Sequence, residues 1–71
     1  MERELMESAV ENYVNGNLKT AKKALREDPE LALEVARDML PEDHAKALVL
    51  WAVGAMDFQE LCDVAAKEVA R

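Results

Sequence analysis

The sequence predicts an all-α fold, a compact bundle of four to five short helices with a buried central helix, in one domain spanning residues 1–71. Three observations lead there. No segment alternates apolar and polar residues with β-branched enrichment, so no strand is expected. Apolar residues recur at three- and four-residue spacings along the chain, the signature of amphipathic helices. Ala47–Met56 is a run of ten residues without a charge, flanked on both sides by heavily charged sequence. A helix that is apolar all round must be enclosed, and ten residues fall well short of the roughly 20 needed to span a bilayer.

The first helix is expected from about Glu2 to Asn15, with Leu5, Met6, Ala9, Val10, Tyr13 and Val14 on one stripe. Gly16 stands where a left-handed residue ends a helix, and Asn17 is placed to cap the next one. So tight a joint makes neighbouring helices antiparallel. The second helix covers about Leu18 to Glu27, with Leu18, Ala21, Ala24 and Leu25 inward. Asp28-Pro29 punctuates it: Asp28 caps, and proline is tolerated in a first helical turn. The third helix, Pro29 to Leu40, presents Leu31, Leu33, Val35, Ala36, Met39 and Leu40. Pro41 repeats the punctuation, and Glu42 and Asp43 give the central helix an acidic first turn that its dipole favours; this helix is expected to run to about Ala55. Asp57 and Glu60 form an Asp-x-x-Glu opening close to a capping box, followed by a stripe of Phe58, Leu61, Cys62, Ala65 and Val69.

Composition limits the rest. At 51% hydrophobic residues the chain is not expected to be disordered. A chain of this length buries only about 60% of its unfolded surface, and such small domains usually rely on disulfides, metals or association. A single cysteine excludes an internal disulfide, and Cys62 and His44, each the only residue of its type, stand alone and give no zinc-type ligand pattern. No metal or cofactor is therefore expected, and a homo-oligomer or a bound protein partner is. The free thiol and the charged Met1–Glu7 segment, which lacks an apolar signal region, point to a cytoplasmic setting. A net charge of −6 argues against nucleic-acid and anionic-membrane partners.

Charge is segregated. Residues 19–26 carry four cations and no anion, whereas residues 27–43 carry seven carboxylates against Arg37. Lys19, Lys22, Lys23 and Arg26 share a helix face. They form a candidate phosphate- or acid-binding patch, but pairing with Glu7, Glu11, Glu27, Asp28 and Glu30 is the favoured reading. Glu30, Glu34 and Asp38 repeat every four residues, about 6 Å apart along one face, and Glu42 prolongs the series. This candidate acidic interaction face has the spacing of phosphates on a nucleic-acid strand, although Arg37 interrupts it and a solvated helix face is the simpler account.

Few residues suit catalysis. The chain has no glycine-rich loop and no Ser/His/Asp set, and Ser8 is its only serine, so no enzyme is expected. His44, among carboxylates in a first turn, is expected at the surface. Cys62 is expected as a buried structural thiol, because Glu60 and Asp63 beside it discourage a thiolate. Trp51, Phe58 and Tyr13 are candidate core or interface anchors.

The joint Tyr13-Val14-Asn15-Gly16-Asn17-Leu18, followed by an alanine-rich basic helix, resembles small acidic helical accessory proteins encoded by bacteriophages. That resemblance implies binding of a host or viral protein, including inhibition of a host enzyme or defence complex. It transfers no functional residue. The expected function is accordingly a small acidic protein-interaction module, an inhibitor or modulator of its partner. The alternatives are a structural homo-oligomer subunit and, lower in rank, a nucleic-acid binder using the basic face. The last requires an acidic third helix to read DNA, which counts against it.

Overall fold

The computed structural model describes the backbone of residues 1–69 and the side chains of residues 1–68. It contains five helices and, among the described residues, no strand: α1 (Arg3–Val14), α2 (Leu18–Glu27), α3 (Pro29–Met39), α4 (Glu42–Ala52) and α5 (Phe58–Val69). The radius of gyration is 10.8 Å, against about 11 Å expected of a globular chain this long. The all-α bundle is thus compact, and among the described residues no helix is long and apolar enough to cross a membrane.

Each joint has a local cause. After α1, Gly16 adopts φ +88°. The Asn17 N–H then donates to the Asn12 carbonyl at 2.8 Å and the Gly16 N–H to that of Tyr13 at 3.1 Å. This is a Schellman closure, which satisfies carbonyls the helix leaves free. The side-chain cap that the sequence places at Asn17 does not form; the Asn17 amide donates to Asn12 Oδ1 instead, at 3.3 Å. Asp28 does cap α3, accepting from the Leu31 N–H at 3.4 Å. Asp57 caps α5 with a shorter bond, 2.8 Å from the Glu60 N–H.

The end of α4 differs from expectation. The helix stops at Ala52 rather than Ala55, because Gly54 takes φ +86° and closes a second Schellman motif. There the Ala55 N–H reaches the Leu50 carbonyl at 2.8 Å and the Gly54 N–H that of Trp51 at 3.1 Å.

α1 and α2 form a hairpin, and α3 lies against α1, α2 and α4. α4 packs against α2, α3 and α5, whereas among the described residues the α5 backbone lies close to α4 only. Met6 and Val10 of α1, Leu25 of α2, Val35 of α3, Leu48 of α4 and Leu61 of α5 are fully buried and form the core. Alanines 9, 21, 32, 36, 45, 47 and 52 are buried among them; such small contact residues let helix axes approach closely.

α4 has more helical neighbours than α5, but it is not enclosed on all sides as the uncharged run suggested. Leu50 is 43% exposed and Val53 41%. Leu5, Val14 and Met39, expected on inward stripes, are also exposed. The α5 stripe is rotated. Leu61 is buried and Val64, Ala65 and Glu68 are half-buried, while Phe58 and Cys62 are exposed. The Val69 side chain, expected on that stripe, lies outside the described residues.

Candidate functional site

The Schellman turn at Gly16 stops α1 so that Tyr13 sits in its last turn, facing the start of α4. There the Tyr13 hydroxyl and His44 Nε2 share a 2.7 Å hydrogen bond, with the two rings edge to face at 5.6 Å between centroids. The Trp51 ring lies 6.2 Å from that of Tyr13 and 5.7 Å from that of Phe58. Lys22 of α2 places its ammonium 5.2 Å from the Trp51 ring centroid, within cation–π range. One aromatic chain therefore joins α1, α4 and α5, with a cation from α2 resting on it.

Both members of the Tyr13–His44 pair are held neutral at pH 7. Burial lowers the His44 pKa below its ordinary 6.5, with the Glu68 carboxylate on α5 opposing. Burial also raises the Tyr13 phenol, and a negative charge on Cys62 would push it further. These directions stabilise a protonated phenol beside an uncharged imidazole. They do not activate the tyrosine as a nucleophile, which requires a lowered pKa or a competent base. Chemically, the pair fixes a polar contact at the edge of an apolar surface.

That surface is a groove of about 560 Å³, lined by Tyr13, Val14, Gly16, Leu18, Leu40, Pro41, His44, Phe58 and Glu68. Its walls come from the α1–α2 corner, the residues leading into α4, and the two ends of α5. Val14, 62% exposed, and Phe58, 40% exposed, are its most open apolar members. Glu68 is the one carboxylate among its described lining residues.

Sequence reasoning expected His44 to be a plain surface residue, whereas the structure half-buries it and bonds it to Tyr13. The two residues are 31 positions apart, so no local pattern could couple them. Cys62 is exposed rather than buried, because α5 turns Leu61, one position earlier, into the core. Of the aromatic anchors, Trp51 is buried, Tyr13 half-buried and Phe58 exposed.

The acidic series is exposed as expected, but half of it is neutralised. Asp38 pairs with Arg3 of α1, and Glu42 with Arg37 at 3.2 Å. Glu30 and Glu34 make no ion pair among the described residues. The pairing expected for the basic face does not form. Lys19, Lys23 and Arg26 are exposed, Lys22 turns onto Trp51, and Glu7 approaches Arg3 at 3.8 Å. α2 thus leaves three cations facing solvent. The ion pairs that do form are all solvent-exposed, worth about 0–1 kcal/mol each. No family model, curated protein or solved structure matches the chain.

Proposed function

We propose that the chain is a protein-interaction module, an inhibitor or modulator that seats an apolar side chain of its partner in the groove beside Tyr13 and His44. The observation that carries this reading is the groove itself. Its volume of about 560 Å³ falls within the range of binding clefts, and Val14 and Phe58 remain open along it. Exposed apolar surface framed by polar groups is how interaction sites are marked. The Tyr13–His44 bond holds two walls in place before binding, which lowers the entropy cost of association.

The chain's charge of −6, with Glu68 at the groove, favours a basic segment as occupant. This reading extends the resemblance to phage-encoded accessory proteins, whose work is to bind a host or viral protein. It places the chain in the cytoplasm, where an exposed thiol stays reduced.

The test is affinity capture of the partner from cells, followed by binding measurements with the purified partner. Val14→Asp and Phe58→Ala should each weaken binding by about tenfold or more, as loss of an anchor contact does. Lys23→Glu, away from the groove, should leave it unchanged. A partner held equally by wild type and both groove variants would refute the reading, and loss on Lys23→Glu alone would favour an anionic partner of α2.

A further inference from the structure

The groove has a length and a direction. Phe58 and Glu68 both line it and stand ten positions apart on α5, about 15 Å at the helical rise of about 1.5 Å per residue. The groove therefore runs along α5. On the same face between them, Leu61 is buried and Ala65 half-buried, so α5 turns one continuous stripe inward. Among the described residues the α5 backbone lies close to α4 only. The groove fills the space left between α5 and the α1–α2 corner, which supplies Tyr13, Val14, Gly16 and Leu18.

We infer that the occupant of this groove is an amphipathic helix of about three turns, laid along α5 with a lysine or arginine at the end that meets Glu68. This rests on the groove being the interaction site. Two features select such a helix over other segments. The first is backbone chemistry. An extended segment needs hydrogen-bond partners for its peptide groups, and the lining offers few. Pro41 has no N–H, the Gly16 N–H is taken by the Tyr13 carbonyl, and the Tyr13 hydroxyl and His44 Nε2 bond each other. An α-helix satisfies its own peptide groups and asks the groove for apolar contact, which Val14, Leu18, Leu40 and Phe58 supply. The second is charge. No lysine or arginine lines the groove among the described residues, and its one carboxylate lies at the opposite end of α5 from Phe58. A cation on the occupant is drawn to that end.

The span also sets the pattern of the occupant. Positions i, i+4, i+7 and i+11 share one face of a helix. The first three meet the apolar lining and the last meets Glu68. From i to i+11 is about 16 Å, which matches the distance from Phe58 to Glu68. A free segment this short is barely helical, and ordering it costs affinity, so an isolated peptide binds with dissociation on the order of 100 µM.

The probe is an end-labelled, alanine-based peptide of about fifteen residues, with leucine at i, i+4 and i+7 and lysine at i+11, followed by fluorescence anisotropy. Wild type should bind it, and far-ultraviolet circular dichroism should show a gain of helix on mixing. Proline between the leucines should weaken binding about tenfold or more, because it breaks the peptide helix. Glutamate in place of the lysine should weaken it about fivefold, and Glu68→Lys should reverse that preference. Val14→Asp should abolish binding of every peptide. If the proline peptide binds as well as its parent while Val14→Asp abolishes both, the occupant is not a helix and the groove reading stands. A lysine preference that Glu68→Lys leaves unchanged also overturns the inference, as does an absence of binding at about 1 mM peptide. Binding that survives Val14→Asp overturns the inference and the groove reading together.

Discussion

Leu61→Ala should release α5 while the other four helices stay folded. Leu61 is the one residue of α5 that is fully buried among the described side chains, and among the described residues the α5 backbone packs closely against α4 only. Truncation removes three carbons, about 2.4 kcal/mol at about 0.8 kcal/mol for each buried methylene. The cavity left behind raises the total into the range of about 2–5 kcal/mol seen for buried leucines. A domain of this size holds only about 4–11 kcal/mol in all. The deficit should appear locally, because elements with few buried contacts open at free energies below that of global unfolding. Amide hydrogen exchange followed helix by helix is the assay. The amides of Phe58–Val69 should exchange about thirtyfold faster or more, equivalent to about 2 kcal/mol, with those of α1, α2 and α3 changed far less. Equal acceleration in all five helices would show that α5 is an integral part of one cooperative unit and refute the reasoning. So would a change below about 1 kcal/mol.

Tyr13→Phe removes the hydroxyl that meets His44 Nε2 and should cost about 0.5–1.5 kcal/mol, read from urea denaturation. Because the folded-state pKa of His44 lies below 6.5, the unfolded chain takes up that proton first as the pH falls. Stability should therefore decline as pH drops below 6.5 and level off beneath the folded pKa, and His44→Gln should remove that component from the pH profile. Gly54→Ala should cost about 1–2 kcal/mol from backbone conformation alone, since a Cβ there meets nothing within 4 Å; thermal melting checks it. Asp57→Ala should cost about 1 kcal/mol as a lost cap, and Asp28→Ala less, because its bond is 3.4 Å rather than 2.8 Å.

Helix number, order and most boundaries follow from local signals, and those are written in the chain. Gly16, Asp28-Pro29, Pro41 and Asp57 each mark a joint through chemistry that needs no distant partner. Gly54 is the instructive exception. It lies inside an uncharged run, where hydrophobic patterning reads continuity, and only its positive φ ends the helix. Inward faces were harder to assign than helix positions. Leu50, Val53 and Phe58 have the composition of core residues, but a bundle this small has too little interior to take every apolar side chain. The candidate site was least accessible of all. Tyr13, His44 and Phe58 come from three helices, and a hydrogen bond across 31 positions leaves no trace in spacing. The basic helix failed for a related reason: opposite charges close in sequence do not meet unless their helix faces turn toward one another, and Lys22 found an aromatic ring instead.

The place of Trp51 makes the protein its own optical probe. It is the sole tryptophan, and its ring is approached by Tyr13 from α1, Lys22 from α2 and Phe58 from α5. Its indole emission therefore senses the seating of three other helices without any added label. Detachment of α5 would wet one edge of the ring and shift the emission to the red. Displacement of the Lys22 ammonium would alter intensity with little change of wavelength. A peptide entering beside Tyr13 and Phe58 would perturb the same fluorophore, so unfolding, fraying and ligand binding can be told apart by spectral shape in one cuvette.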